Sequence, residues 1–389
     1  MEVDYKMKYA LVNCDIYTGK NIIYDKAIII EGNKIKEIVE LSKIPKELEA
    51  IDLNGLSIAP GFIDVQVNGG GGCLFNENPT EECISSIYEA HKRFGTTSFL
   101  PTIFTVSTEK MLQAIEVIKR CIENRKYGVI GLHIEGPYIN ENKAGVHDKR
   151  FIQQISDEEL DVFIKDEGVI KLWTLAPELV EEAHIEKLRK KNIIVSAGHT
   201  DATYEQTKKS FKWGISSATH LFNAMSQFVG REPGVLGAVF DTDKIWAGII
   251  ADGMHVHFAS VRVAKKIKQE KLILVTDAMP PVGKPTTTFK IGTLEVSYSN
   301  GKCVTKDGTL AGSALDMATA VRNCIQKVGI SKDEALRMAS TYPAEFLGIQ
   351  DRLGKIKIGY TADMVIFNNQ IIVKGVIKEG KFEKYANFE

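Results

Sequence analysis

Two histidines each end a short β-prone run, and a helical segment lies between the two runs. His199 ends the first run and His220 the second, while residues 202–213 between them are helix-like and are followed by Gly214. This order of strand, helix and strand is typical of the βαβ unit of a parallel sheet. Both imidazoles are therefore expected at the carboxyl edge of that sheet, where they could begin a metal centre. The alternative is that the two histidines are unrelated and lie on the surface or in the core.

A carboxylate extends this candidate metal set. Glu135 ends an apolar run and is followed at once by Gly136 and Pro137, which turn the chain. Together with His199 and His220 it makes a set of two histidines and one carboxylate, which leaves coordination positions open for water and substrate. The alternative is an exposed loop glutamate.

Further polar residues end the first and the last predicted strands. Asp277 follows the last strand, where it could act as a general base beside a metal-bound water; its alternative role is a helix cap or a turn. Gln66 and Asn68 alternate at the end of the first strand. The glycine run 69–72 after them permits a tight turn or a close approach of the backbone to a ligand. It lacks the dinucleotide fingerprint and the Walker lysine.

Loop residues complete the predicted rim. His147 follows the third strand, and Asp252 and His255 follow the seventh, although loop histidines are usually solvated. Asn223 and Arg231 lie beyond the second candidate ligand in a loop of small residues. Backbone amides and one guanidinium suit a phosphate, whereas the alternative for Arg231 is a surface ion pair.

These residues need a scaffold that brings several strand ends together. Candidate strands cover residues 58–67, 97–102, 129–134, 170–175, 193–197, 215–219, 245–250 and 272–276. Amphipathic runs such as 82–94 and 109–122 lie between most of them. Eight parallel strands with intervening helices predict a (β/α)8 barrel; a doubly wound sheet is the alternative, because strand order is not readable from one sequence. Beyond the eighth strand we predict a hairpin, in which strands over 289–298 and 302–304 flank Asn300-Gly301. Helices over 315–328 and 332–347 are then expected to close the barrel.

Both ends of the chain are β-rich. Strand-like runs cover 9–12, 27–30, 35–39, 363–367, 371–373 and 376–377, with a hairpin signal at Gly32-Asn33. Neither end carries enough apolar surface to fold alone. The predicted fold is thus α/β, a TIM-type barrel over residues 59–349 with a small β-sandwich domain formed by 1–58 and 350–389.

Composition narrows the classes of function. The chain has 389 residues and a formal net charge of -1, which gives no support for nucleic acid or an anionic membrane as a partner. The six cysteines include no CxxC pair, so reduced thiols in the cytoplasm are expected rather than a disulfide framework. The N-terminal residues lack a basic segment followed by an apolar core, so no signal peptide is expected. No uncharged apolar run approaches about 20 residues, which argues against a membrane span.

Seven motifs follow one another in a fixed order along the chain. They are Pro60-Gly-Phe-Ile-Asp64, Gly131-Leu-His-Ile-Glu-Gly-Pro137, Ser196-Ala-Gly-His-Thr200, Thr219-His-Leu-Phe-Asn-Ala-Met225, Ala251-Asp-Gly-Met-His255, Leu274-Val-Thr-Asp-Ala278 and Leu310-Ala-Gly-Ser313. In this order they resemble the motifs of the N-acetylglucosamine-6-phosphate deacetylases, a family of the amidohydrolase superfamily. The resemblance runs from about residue 8 to residue 385.

The resemblance implies metal-dependent hydrolysis of the acetamide of N-acetylglucosamine 6-phosphate in amino-sugar catabolism, by a cytoplasmic homodimer. Glu135, His199 and His220 would be the metal ligands and Asp277 the catalytic acid and base. Substrate-binding positions would be Val146, His147, Asn223, Ala224, Arg231, Asp252, Gly253, Met254, His255, Ala311, Gly312 and Ser313.

One departure concerns the second metal of this superfamily. Most members end the first strand with His-x-His, but this chain has Gln66 and Asn68 there. Neutral amides bind a divalent transition metal poorly, so the resemblance implies one metal per subunit, with Gln66 in a possible water-mediated contact. Zinc suits the ligand set, and Fe²⁺, Co²⁺ and Mn²⁺ stay open. Two alternatives also stay open for Arg231, which could act in the site of its own subunit or in that of a neighbouring subunit.

Two rival functions differ from this one. A hydrolase of cyclic amides in the same superfamily commonly needs the His-x-His pair and a bridging modified lysine, and neither occurs at the matching places. A metal-free binding paralogue would have lost the ligands, yet Glu135, His199, His220 and Asp277 are all present.

Overall fold

The protein is described by a computed structural model over residues 8–385. The expectation of no signal peptide concerns the N-terminus, and residues 1–7 lie outside the described residues, as do residues 386–389 of the predicted small domain. Between residues 8 and 385, none of the helices has both the length and the apolar character needed to cross a membrane.

An eight-stranded parallel sheet forms the larger part of the fold, and its strands neighbour one another in chain order. They are Phe62–Val67, Thr96–Phe104, Leu132–Glu135, Ile170–Leu175, Ile194–Ala197, Ser217–Ala218, Trp246–Ile249 and Leu272–Leu274. A parallel bridge between Val67 and Ala278 links the first strand to the segment after the last, and the Asp277 N–H donates to the Gln66 carbonyl at 3.0 Å. The TIM-type barrel predicted from the sequence is confirmed.

Helices follow the strands. The α-helices are Glu81–Lys92, Thr108–Glu123, Asp157–Phe163, Glu182–Lys190, Tyr204–Trp213, Gly234–Phe240, Phe258–Lys268, Met317–Asn323, Lys332–Ala339 and Thr341–Phe346, with 3₁₀ turns at Leu41–Lys43, Glu141–Lys143, Lys149–Phe151, Pro177–Leu179 and Gln269–Lys271. The helix between the two histidine-bearing strands begins with a capping box. Thr203 Oγ1 accepts from the Gln206 N–H, and Gln206 Oε1 accepts from the Thr203 N–H. It ends at Gly214, whose φ of 116° suits glycine.

Strands from both ends of the chain pair with each other, as the sequence predicted. The six-stranded sheet has the order Lys381–Lys384, Val373–Lys378, Met364–Phe367, Ser57–Pro60, Asp15–Tyr17, Ile22–Ile23, and a four-stranded sheet has the order Lys34–Glu40, Lys26–Glu31, Lys8–Val12, Glu49–Asp52. Met364–Phe367 lies antiparallel to Ser57–Pro60. Ile28, Ile58 and Ile366 are buried in a common apolar core, which neither end of the chain could form alone.

Two predicted strands are each divided in the structure. Residues 58–67 form two strands, Ser57–Pro60 in the terminal sheet and Phe62–Val67 in the barrel. A side chain at Gly61 between them would place its Cβ 2.1 Å from Thr97 Oγ1, so the backbone approaches its neighbour too closely for another residue. Residues 289–298 turn at Gly292 and form Thr288–Ile291 and Leu294–Ser299, which build an antiparallel sheet with Lys302–Thr305 and Leu310–Ser313. The hairpin predicted at Asn300-Gly301 is present.

The two helices predicted to close the barrel differ in detail. The first becomes a π-helical turn at Cys324–Val328, and the second is divided at Ser340.

The chain separates into two compact units. One contains the segments up to Ile63, His91–Ser98 and from Met317 onward, and the other contains Asp64–Ala90 and Phe99–Asp316. The helices belong to the first unit, where Thr341 Oγ1 donates to the Gly354 carbonyl. The boundaries at residues 58 and 350 stay a prediction.

One disulfide contradicts the expectation of reduced thiols. Cys73 and Cys83 are bonded, with their Cα atoms 5.7 Å apart. The glycine run explains the pairing, because Gly69–Gly70 turns back to lie antiparallel to Cys73–Leu74 and this places Cys73 near the start of helix Glu81–Lys92. The other four cysteines, Cys14, Cys121, Cys303 and Cys324, are buried thiols.

Candidate active site

Three predicted metal ligands meet at the carboxyl ends of the third, fifth and sixth barrel strands. His220 Nε2 lies 2.8 Å from Glu135 Oε1, and His199 Nε2 lies 3.1 Å from the same oxygen. The two Nε2 atoms are 3.1 Å apart. All three side chains are buried, and their ligand atoms lie within 4.8 Å of one another. Separations this short place all three groups within reach of one ion.

The protonation of His199 indicates what this cluster can hold. Its Nδ1 lies 2.7 Å from the Lys143 carbonyl, and because a carbonyl only accepts, the Nδ1 carries a proton. Nε2 is thus the His199 nitrogen that faces the Glu135 carboxylate and that could bind a metal ion. With His220 Nε2 at the same carboxylate oxygen, these residues fit a divalent metal ion.

The same cluster competes for a proton when no metal is bound. Burial acts to lower the pKa of His220 and to raise that of Glu135. Hydrogen bonds from His199 and His220 nevertheless hold the pKa of Glu135 well below its usual range, and the hydrogen bond to Glu135 raises the pKa of His220. A metal ion must displace this proton, and its affinity will therefore fall with decreasing pH.

Backbone strain marks the same residues. His199, His220 and Asp277 have φ angles of 48°, 30° and 51°. Non-glycine residues rarely adopt this left-handed region. Such strain is maintained by the surrounding structure and is concentrated at functional sites.

Asp277 lies beside the ligand cluster and is held by two amides from the first strand. Its Oδ1 accepts from Asn68 Nδ2 at 2.6 Å and from Gln66 Nε2 at 3.2 Å. Gln66 Nε2 also lies 3.3 Å from both carboxylate oxygens of Glu135. Burial, with a contribution from the Glu135 charge, raises the pKa of Asp277 to about 6. The carboxyl can therefore exchange a proton near neutral pH, as a general base and acid must.

A cavity of about 540 Å³ opens over this cluster. The predicted substrate-binding residues that line it are Val146, His147, Asn223, Ala224, His255 and Gly312. Asp252 does not line it, but its carboxylate accepts from His255 Nδ1 at 2.6 Å and thereby orients that imidazole. Although burial acts to raise the pKa of Asp252, this hydrogen bond helps to lower it.

Four other predicted positions do not line the cavity, although each lies within two residues of one that does. Ser313 is buried, and its hydroxyl donates to the Thr276 carbonyl. Ala311 is fully buried, Gly253 forms the turn before Met254, and the Met254 side chain is 38% exposed.

His147 is fixed by a residue that the sequence analysis missed. Its Nδ1 lies 2.7 Å from Thr105 Oγ1, and its ring centroid lies 4.2 Å from that of His199. Burial holds the pKa of His147 well below its usual range, so the imidazole is neutral. Thr105 follows the second barrel strand by one residue. A polar residue at the end of a predicted strand was the signal that identified the other site residues in the sequence.

The cavity has further lining residues that the sequence analysis did not select. They are Asn68, Phe104, Asn142, Lys143, Gly145, Met279, Gly308, Thr309 and Leu310. Lys143 is the cationic residue among them; its carbonyl lies 2.7 Å from His199 Nδ1, and its Nζ lies 3.2 Å from Asp201. Its position four residues before His147 is the signal that could have drawn attention to it. The 308–310 loop has no comparable signal.

Arg231 is the predicted residue that the structure places away from the cavity. It is exposed, and its neighbours Phe228 and Val229 are each 60% exposed. Phe228 also borders an apolar groove of about 570 Å³, with Phe222, Leu236, Phe240, Val263 and Ile267. Assignment of Arg231 to the phosphate site of its own subunit is therefore not supported by its position.

Comparison with known proteins yields one family over most of the chain. The model of the amidohydrolase family matches residues 57–382, and that of the NagA composite domain matches residues 8–58. The N-acetylglucosamine-6-phosphate deacetylase of Haemophilus influenzae is 38% identical over 97% of this chain and 100% of its own length. An N-acetylgalactosamine-6-phosphate deacetylase of a Shewanella species is 40% identical over 79% of this chain and 78% of its own. The crystal structure of the N-acetylglucosamine-6-phosphate deacetylase from Pasteurella multocida superposes with a TM-score of 0.95 and 40% identity, over 97% of this chain and 100% of that one.

Proposed function

Because the chain belongs to the amidohydrolase family, we propose that it hydrolyses the acetamide of N-acetylglucosamine 6-phosphate to glucosamine 6-phosphate and acetate. The reaction is a step of amino-sugar catabolism. One observation carries the proposal, the meeting of Glu135, His199, His220 and Asp277 beside a single cavity of about 540 Å³. A cavity of this volume is in the range that accommodates a small-molecule ligand, and near full-length similarity to deacetylases gives the bond that is cleaved.

Glu135, His199 and His220 would hold one divalent metal ion per subunit. Zinc is the metal that nitrogen and carboxylate ligands of this number favour, while Fe²⁺, Co²⁺ and Mn²⁺ also bind such a set. When bound, the ion supplies a water of lowered pKa and polarises the amide carbonyl. Gln66 and Asn68 contribute neutral amides where a second metal would need imidazoles, which supports a single ion.

Asp277 carries the proton through the reaction. Its carboxylate accepts a proton from the attacking water and returns it to the departing nitrogen, since an amine anion is too poor a leaving group. His147 stabilises the negative charge that develops on the carbonyl oxygen. For this role the imidazole proton must be on Nε2, with Thr105 Oγ1 donating to Nδ1 at 2.7 Å.

Phosphate recognition draws on two cations. Lys143 lines the cavity of its own subunit, where an ammonium can bind the phosphate as a point charge. Arg231 is exposed beside Phe228 and Val229, which supports a homodimer in which the apolar groove is covered and Arg231 reaches the partner's site. The phosphate charge also prevents the substrate from crossing a bilayer unaided, which supports a cytoplasmic location.

A second candidate substrate is the C4 epimer, N-acetylgalactosamine 6-phosphate, because a relative named for that activity is 40% identical. The test measures acetate release from the two sugar phosphates and from plain N-acetylglucosamine, with and without a chelator. We expect chelator-sensitive turnover with the highest kcat/KM on N-acetylglucosamine 6-phosphate. No acetate from either phosphorylated sugar by metal-loaded protein would refute the proposal. Protein that purifies with no stoichiometric metal would favour the binding paralogue, and turnover of a cyclic amide would favour the other hydrolase.

A further inference from the structure

The carboxylate of Asp277 is held from one side only. Its backbone is fixed, because the Asp277 N–H donates to the Gln66 carbonyl at 3.0 Å and its carbonyl accepts from the Ser313 N–H at 2.9 Å. Of the side-chain oxygens, Oδ1 accepts from Asn68 Nδ2 at 2.6 Å and from Gln66 Nε2 at 3.2 Å. These donors occupy Oδ1 and leave Oδ2 as the oxygen that can exchange a proton with a reacting group.

Asn68 is built rigidly into the first strand's end. Its N–H donates to the Ala278 carbonyl at 3.0 Å, its carbonyl accepts from the Phe75 N–H at 2.9 Å, and the residue is 3% exposed. Its amide orientation follows from chemistry, because a flipped amide would place its oxygen 2.6 Å from the carboxylate oxygen. Among residues 8–385, the Asn68 amide oxygen has no hydrogen-bond partner. The side chain is therefore held for its bond to Asp277.

We infer that Asn68 is a positioning residue for the deacetylation, a role that rests on the proposed function. By anchoring Oδ1, it keeps Oδ2 aimed at the water that loses a proton and then at the nitrogen that receives it. Reacting groups must be held within a narrow range of angles for efficient proton transfer. A neutral amide supplies this anchor without a positive charge, so Asp277 keeps the basicity that a second metal ion beside it would reduce.

Asn68 is a cleaner site for a test than Gln66. Gln66 Nε2 bonds both Glu135 and Asp277, so its replacement would disturb a metal ligand and the acid/base group together. The test is a double-mutant cycle between Asn68→Ala and Asp277→Asn, which measures whether the two residues act through each other. Steady-state kcat and KM, metal content per chain and the urea midpoint of the metal-free protein are recorded for each variant.

We expect Asn68→Ala to lower kcat by about 10- to 100-fold, the range for loss of one hydrogen bond to a charged group. KM should change by less than about threefold and metal content not at all, because the Asn68 side chain donates to Asp277 and to none of the metal ligands. In the Asp277→Asn background the same change should lower kcat by less than about threefold, since the group that Asn68 orients is gone. Asn68→Ala should also lower the urea midpoint of the metal-free protein more in the wild-type background than in the Asp277→Asn background.

Asn76 provides a matched control. It is a buried asparagine whose side chain bonds the backbone of Phe104, donating to its carbonyl at 2.6 Å and accepting from its N–H at 2.9 Å. Asn76→Ala should lower the urea midpoint and should change kcat by the same factor in both backgrounds. Equal factors for Asn68→Ala in the two backgrounds, or an unchanged kcat in the wild-type background, would overturn the inference.

If the Asn68→Ala variant does not fold, Asn68→Asp provides a second test, because aspartate keeps the shape of the asparagine side chain. Its carboxylate replaces the donor with a second negative charge beside Asp277, so kcat should fall and the acid limb of its pH profile should move to higher pH. A wild-type kcat and pH profile in this variant would also overturn the inference. Failure of the proposed function is a separate result, because wild-type protein would then release no acetate.

Discussion

Asp64 should make the stability of the protein depend on pH in a direction opposite to that of most carboxylates. It is fully buried in the first barrel strand, and its carboxylate accepts from Thr276 Oγ1 at 2.6 Å. The backbone N–H groups of Gln66 and Thr276 donate to it as well. Burial outweighs these hydrogen bonds and raises the pKa of Asp64 to about 7, whereas an aspartate in an unfolded chain has a pKa of about 3.9.

The sign and size of the effect follow from these two pKa values. Between about pH 4 and pH 7 the folded protein keeps a proton on Asp64 that the unfolded chain has lost. The stabilisation is therefore fully present below about pH 4 and is lost as the pH rises through about 7. A difference of about three pH units corresponds to about 4 kcal/mol of unfolding free energy, as an order of magnitude.

The measurement compares wild type with Asp64→Asn by urea unfolding at intervals from pH 5 to pH 8. The asparagine oxygen can still accept from Thr276 Oγ1, and the amide does not titrate. We expect the unfolding free energy of the wild type to fall relative to that of Asp64→Asn as the pH rises, by up to a few kcal/mol. Parallel curves over this range would refute the reasoning, because Asp64 would then be ionised in both states throughout.

Three further predictions concern the site. A divalent metal at about 1,000 times its Kd should stabilise the fold by about 4 kcal/mol. Glu135→Gln should lose most of the metal-induced rise in Tm. The control Glu178→Gln should retain that rise, because Glu178 is a partly buried carboxylate outside the ligand set. Asp277→Asn should keep metal and bind substrate but lose kcat by roughly 10² or more; a near-normal kcat would remove it from the mechanism. Lys143→Met and Arg231→Ala should each raise KM for the phosphorylated sugar and change turnover of the plain sugar little. If Arg231 acts across an interface, mixing Arg231→Ala with Asp277→Asn protein should restore some activity. Equal wild-type kcat/KM for both sugars would contradict a phosphate site.

The barrel and its ligand set were predictable because each depends on local sequence. Parallel strands buried on both faces read as short apolar runs, and Glu135, His199 and His220 each follow such a run directly. Once the strands are parallel, their carboxyl ends must share one edge, so proximity of the three side chains needs no further information. The pairing of the chain ends was predictable for a similar reason, since neither end has a core of its own.

What escaped prediction depends on contacts between distant segments. Gly61 lies where a continuous apolar run divides between two sheets, and its backbone approaches Thr97 closely. Nothing in the run itself indicates that neighbour. The disulfide between Cys73 and Cys83 depends on how a glycine turn is folded. Lys143 and the loop 308–310 reach the cavity through irregular backbone, which has no periodicity. For Arg231 two places stayed open, because the sequence of a loop does not tell whether its side chain faces the site of its own subunit or that of a neighbour.

The first and last barrel strands are where the structure adds most to the sequence. The sequence has amides at Gln66 and Asn68, where a second metal ion would need imidazoles. By themselves these residue types indicate only that a second metal site is missing. The structure gives these amides a partner, because both donate to the carboxylate of Asp277. Asp64 on the same strand accepts from Thr276, the residue before Asp277. Residues of the first strand therefore also join it to the segment that follows the last, and histidines at positions 66 and 68 would replace the amide donors that hold the Asp277 carboxylate.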